Sequence, residues 1–97
     1  MTLIRFHPEV YKDVASAYDW YESYANGLGN DFTCELELGL ESIASMPEAW
    51  SKFGRKFRRF HMSRFPFAIV YSFGDQCVYV LAVMHQRRKP DFWKSRI

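Results

Sequence analysis

The sequence predicts an α+β domain with the order β-α-α-β-β-β, a helical hairpin packed on one face of a mainly antiparallel sheet. Three observations lead there. Apolar residues in the first half recur at three- and four-residue steps, the period of an amphipathic helix. Beyond residue 55 the period falls to two, and two later runs are apolar on both faces, as central strands are. Charge divides along the same line. Residues 1–51 carry two basic side chains against nine acidic, a net of −7. Residues 52–97 carry eleven basic against two acidic, a net of +9, so the total of +2 hides the division.

Leu3, Ile4 and Phe6 form a short apolar run before Pro8, a strand that gives way to a helix start, since proline is tolerated in the first helical turn. Val10, Val14, Ala17, Tyr21 and Tyr24 make the stripe of a first helix over about residues 8–25. Its aromatic residues Tyr11, Tyr18, Trp20, Tyr21 and Tyr24 are expected in the core and between the helices. His7 is expected to cap locally or lie on the surface. Asn26-Gly27 and Gly29 tolerate left-handed backbone and allow the turn. Phe32, Leu36, Leu40 and Ile43 give the second helix, closed by Pro47.

In Phe57–Met62, alternation puts Phe57, Arg59 and His61 on one face and Arg58, Phe60 and Met62 on the other. The runs Phe67–Phe73 and Val78–Met84 then pair across a Gly74-Asp75 turn, with Pro66 at the start of the first. Ninety-seven residues make one domain, 1–97, without repeat, linker or low-complexity tract. At 48% hydrophobic and 19% aromatic, the composition excludes a disordered chain. There is no apolar run long enough for a signal peptide and none near the ~20 residues of a membrane span, so a cytosolic protein with no membrane partner is expected. Cys34 and Cys77 have no metal-ligand spacing and are expected as reduced thiols. No glycine-rich phosphate loop, zinc spacing or nucleophile elbow occurs, and no cofactor or metal is implied.

A domain whose second half is this basic presents a cationic surface to a partner of repeated negative charge, nucleic acid or an acidic protein segment. Lys52, Arg55, Lys56, Arg58 and Arg59 form the densest basic run; Arg87, Arg88, Lys89, Lys94 and Arg96 form a second. Either cluster suits phosphate contacts, and either is equally a solvated face. Phe92 and Trp93 offer rings for base stacking; Trp93 pinning the C-terminal segment to the sheet is the competing role.

Four segments carry a family resemblance. Phe6-His7-Pro8-Glu9 opens the first helix, which later reads Asp19-Trp20-Tyr21. Gly27-Leu28-Gly29-Asn30-Asp31-Phe32 forms the turn between helices. Arg64-Phe65-Pro66-Phe67 leads into Ala68-Ile69-Val70-Tyr71, and the chain ends in His85-Gln86-Arg87-Arg88-Lys89-Pro90-Asp91-Phe92-Trp93. Together, in this order, they resemble the RelE/ParE superfamily, the toxins of bacterial type II toxin–antitoxin modules, including members known as plasmid stabilisation proteins. The resemblance implies growth arrest held in check by a cognate antitoxin whose C-terminal segment wraps the toxin. It also implies one of two targets: DNA gyrase, which ParE-like members poison, or the ribosome, where RelE-like members cleave mRNA without a metal. A degenerate, non-toxic binding module for protein or nucleic acid is the reading from another class.

If the chain is a nuclease, the resemblance places His85 and Arg87 at the catalytic position at the end of the last strand. Proton transfer near neutral pH suits histidine, and phosphorane charge suits arginine. Arg59 and His61, sharing a face, are the candidates to join them. Lys52 and Lys56 match the region of the nucleases' essential lysines. With Arg55, Arg58, Arg64, Arg88, Lys89, Trp93 and Arg96 they make the target-binding set. No tyrosine follows His85 in the tail, where the nucleases have one, and the tail is no clean match to that of gyrase poisons either.

Overall fold

The computed structural model describes residues 2–88 and 92–97; Lys89 and the Pro90-Asp91 part of the tail motif lie outside the described residues. The chain runs β1 (Leu3–Phe6), α1 (Val10–Tyr24), α2 (Leu28–Ser45), β2 (Ser51–Phe53), β3 (Phe57–His61), β4 (Phe67–Gly74) and β5 (Cys77–His85), and closes with a 3-10 helix, Phe92–Arg96. The strands form one mixed sheet in the order β1-β5-β4-β3-β2. β1 runs parallel to β5 and the other pairings are antiparallel. The α+β expectation therefore holds, with one strand more than the sequence predicts. Three residues are too few to display a period, and β2 becomes visible only once Gly54, at φ +77°, turns the chain back onto β3.

His7 does cap the entry to α1: its Nδ1 accepts the Glu9 N–H at 3.0 Å. Val10 and Ala17 are buried under α1, but the expectation of a wholly buried aromatic set does not hold. Tyr11, Trp20 and Tyr24 are exposed at 78%, 66% and 80%, because residues 10, 14, 17 and 21 already fill the narrow stripe that meets the sheet. Tyr21 enters the core, stacked 5.6 Å from Phe32 and edge-on at 4.8 Å to Phe65, and half-buried Tyr18 lies between the helices against Gly29, as expected.

The turn between the helices is built on a carboxylate. Glu22 accepts the N–H groups of Gly27 at 3.0 Å and of Gly29 at 3.0 Å, satisfying donors that a helix start leaves open. Gly27 sits at φ +86°, and a Cβ on Gly29 would meet the Tyr18 ring at 2.8 Å. Those constraints explain both glycines of the turn.

The sheet has an apolar cluster on each face. The helices cover Ile69, Tyr71, Val78, Val80 and Val83, with Phe32, Leu36 and Ile43. Val70, Leu81, Ala82 and Met84 point to the other face, where Trp93 of the 3-10 helix covers them. Two residues at positive φ, Asp75 at 52° and Gln76 at 60°, close the β4–β5 hairpin, the signature of a two-residue type I′ turn. The turn is one residue later than the sequence suggests, since Gly74 still pairs with Cys77. Cys34 and Cys77 are both free thiols. Among the described residues, no helix is long and apolar enough to cross a membrane.

Candidate functional site

Which face each strand residue occupies decides what can act together. Arg59 pairs with Val70 and His61 with Ala68, so both lie on the face away from the helices. His85 does not join them. Val70 pairs with Ala82 while Tyr71 pairs with Val80, leaving Leu81 as an extra residue in β5. That bulge reverses the alternation: Leu81, Ala82 and Met84 lie on the open face, and Val83 returns to the helix side. His85 follows Val83. It lies across from Phe67, its ring edge-on at 5.2 Å, and Phe67 packs against Phe32 at 5.0 Å in the helix-side core.

The structure thus brings Arg59 and His61 to one face and His85 to the other. His85 Nδ1 accepts the Arg87 N–H at 3.0 Å, which fixes the turn after β5 and leaves Arg87 exposed. Gln86 bridges toward the open face, with Nε2 at 3.2 Å from His61 Nδ1. His85 lines a groove of about 520 Å³ beside α1, together with Trp20, Phe67 and Val83.

The outer edge of β5 is finished by side chains rather than by a strand. β1 pairs with Cys77–Val80 only, and His7 N–H then bonds the Val80 carbonyl at 2.8 Å. Past that point Asp13 of α1 accepts the Val83 N–H at 3.0 Å, and Arg96 donates to the Leu81 carbonyl at 3.2 Å. Arg96 also grips Asp13 through two contacts, 2.6 and 2.7 Å. Its guanidinium pKa is raised, first by that hydrogen bond. The sequence reading missed Asp13 altogether. The available signal was its position: three residues after Val10 and four before Ala17, on the side of α1 that faces the sheet.

Several of the basic or aromatic candidates have structural partners. Arg58 donates to the Trp50 carbonyl at 2.8 Å. Arg64 meets Asp31 at 3.5 Å, an exposed pair. Trp93 is 7% exposed and packs 5.3 Å from both Phe53 and Phe57, and Arg96 is held by Asp13. Arg59 lies 4.5 Å over the Phe53 ring, and its Nε has no hydrogen-bond partner among the described residues. Lys52, Arg55, Lys56 and Arg88 are exposed; Lys89 lies outside the described residues. Among the described residues no three His, Cys, Asp or Glu side chains gather where a metal ion would sit.

The family model for the ParE toxin of type II toxin–antitoxin system, parDE, matches residues 4–90. No curated protein matches the sequence. Among solved structures, a chain of the chromosomal ParDE toxin–antitoxin system from P. aeruginosa superposes with a TM-score of 0.67 at 13% identity, covering 88% of this chain and 96% of that one. At that identity the superposition speaks for the fold. The family match spans β1 to the end of the described sheet, and by it the chain belongs to the ParE toxins, the toxin component of type II ParDE toxin–antitoxin systems.

Proposed function

We propose that this toxin arrests growth by poisoning DNA gyrase through binding contacts, with no ribonuclease chemistry of its own; the cognate ParD antitoxin that the family implies holds it inactive. The match to the ParE toxins supports this reading, and so does the separation of His85 from Arg59 and His61 across the sheet. A metal-independent ribonuclease needs its proton-transfer group and its charge stabiliser within hydrogen-bond reach of one phosphate. Here the bulge at Leu81 sets His85 across the sheet from Arg59 and His61, so the four candidates do not gather into one site, and a nuclease would be left with the pair Arg59–His61 or the pair His85–Arg87 alone. A poison that acts by surface contact requires no such convergence.

Two assays with purified protein test it. In one, gyrase and plasmid DNA are incubated with toxin and scored for DNA cleavage complexes. In the other, a translating ribosome mixture is mapped for new transcript ends. Cleavage complexes should accumulate equally with the wild-type chain and with His85→Ala, while transcripts stay intact. New ends within codons, formed only with ribosomes and reduced ~10²–10⁴-fold by His85→Ala, would overturn the proposal in favour of mRNA cleavage.

A further inference from the structure

Part of the charge division in the sequence carries over into space, with Arg64 and Arg96 of the basic half meeting the acidic helices and the β2–β3 hairpin standing apart from them. Among the described residues the acidic side chains sit on the helices and their loops, and Asp75 in the β4–β5 turn is the exception. Ion pairs among the described residues engage Lys12 with Glu9, Arg64 with Asp31 and Arg96 with Asp13. The cations of the β2–β3 hairpin, Lys52, Arg55 and Lys56, are exposed and have no ion-pair partner among the described residues.

The hairpin that carries them is anchored. Arg58 ties it to the Trp50 carbonyl, Trp50 packs edge-on at 4.7 Å against Phe60, and Phe53 and Phe57 both close on Trp93. Between the hairpin and the β4–β5 turn lies an open groove of about 580 Å³, with Arg55 and Lys56 on one side, Asp75 on the other, and Ser72 and Tyr79 in its lining. No hydrogen bond from either hydroxyl to a described residue is present, so both remain available as donors.

Composition of the patch separates two kinds of anionic partner. A protein segment binds through apolar or aromatic anchors as well as charge. The large exposed apolar side chains lie elsewhere: Leu3 and Phe6 on β1, Tyr11, Trp20 and Tyr24 on α1, Leu38 on α2, Met46 just after it, and Ile97 just after the 3-10 helix. The aromatic residues that line the groove, Phe73 and Tyr79, are half-buried, so the patch offers mainly charge and hydroxyl donors, the composition that suits a phosphodiester backbone.

We infer that the β2–β3 hairpin, with Lys52, Arg55 and Lys56 flanked by Ser72 and Tyr79, is a sequence-independent site for the phosphate backbone of duplex DNA. The site deepens the gyrase reading, since gyrase holds a DNA duplex that such a hairpin can grip, but it is measured without gyrase.

The probe is a fluorescent random-sequence duplex, titrated with full-length toxin and followed by anisotropy from 50 to 200 mM salt. Three phosphate contacts give a log–log salt slope of about −2.7, a roughly 40-fold loss of affinity over that range. A variant with Lys52→Ala, Arg55→Ala and Lys56→Ala should flatten the slope by about 2–3. Lys12→Ala, on the helix side, should leave it unchanged. Circular dichroism shows that each variant is folded, and Arg55→Lys, which keeps the charge, should retain binding. Duplex binding that is absent at 50 mM salt, unchanged in the triple variant, or displaced equally well by polyglutamate overturns the site. If cleavage complexes still form in that case, the gyrase reading survives alone; duplex binding without cleavage complexes supports this site and removes that reading.

Discussion

Arg96 and Asp13 meet in a two-contact ion pair across 83 residues of sequence, with N–O distances of 2.6 and 2.7 Å. Their side chains are 13% and 11% exposed. The pair lies where β1 ends and β5 continues, and each partner also takes one main-chain group of β5, the Val83 N–H and the Leu81 carbonyl. It therefore replaces the missing length of the edge strand and fastens the end of the chain to the first helix.

Breaking one side of such a pair leaves a charge in a poorly solvated place, at a cost of about 3–5 kcal/mol where no relaxation occurs. Asp13→Ala should approach the lower end of that range, because it removes the counter-charge of Arg96, which keeps the Leu81 carbonyl, and leaves the Val83 N–H without its acceptor. Arg96→Ala should cost less, since the freed 3-10 helix lets water reach Asp13. Thermal denaturation orders the two variants, and amide exchange at Val83 should accelerate most in Asp13→Ala. Equal losses in both, with Val83 exchange unchanged, would contradict this role.

Glu22 offers a second prediction. Its carboxylate serves two backbone donors, Gly27 and Gly29, and leaving buried donors unpaired costs about 1–3 kcal/mol. Glu22→Ala should destabilise by that amount, with Glu22→Gln recovering part of it because an amide oxygen still accepts. Denaturant melts of the three proteins check the order. A Glu22→Gln melt as low as that of Glu22→Ala would show that charge, and not acceptance, matters.

Gly39 marks where α2 comes closest to the sheet. A Cβ there would sit 3.0 Å from both Ile69 Cδ1 and Phe60 Cε1. Alanine raises helix propensity by roughly 0.5–1 kcal/mol, but Ile69 is fully buried in the core it would have to shift within. Overpacking of about 1–3 kcal/mol should win, so Gly39→Ala is expected to lower the melting temperature. A rise would mean that α2 shifts freely over β3 and β4.

The sequence showed both helices because their stripes are long, and it showed β4 and β5 because seven-residue apolar runs bounded by a turn have few other readings. The faces of β5 were hidden. Leu81-Ala82 carries no glycine or proline to announce a bulge, yet that one residue moves His85 across the sheet from Arg59 and His61. Asp13 was hidden for a different reason: its partner arrives from the far end of the chain, and no local period encodes a long-range ion pair. Tyr11, Trp20 and Tyr24 stay exposed because a helix can bury few positions against one sheet, a limit that hydrophobic character alone does not reveal. Charge segregation was legible from the start, since it needs only the order of the halves.

Tyr71 supplies a pH-dependent prediction. Its ring is fully buried, and its hydroxyl donates to the Pro47 carbonyl at 2.6 Å, fastening the loop after α2 to β4. Burial raises its pKa above the ordinary 10.0, opposed in smaller part by Arg58. With the folded pKa above the unfolded one, the stabilisation is complete below pH ~10 and is lost as pH climbs through the raised folded value, because the unfolded chain releases the proton first. Tyr21 shifts in the same direction, also by burial. Tyr71→Phe should cost about 1 kcal/mol at neutral pH through the lost hydrogen bond, and should make the alkaline fall in stability shallower without abolishing it, Tyr21 remaining. Urea denaturation between pH 8 and 11 measures both effects. An alkaline limb of identical slope in Tyr71→Phe and wild type would show that ionisation of this phenol is not coupled to folding.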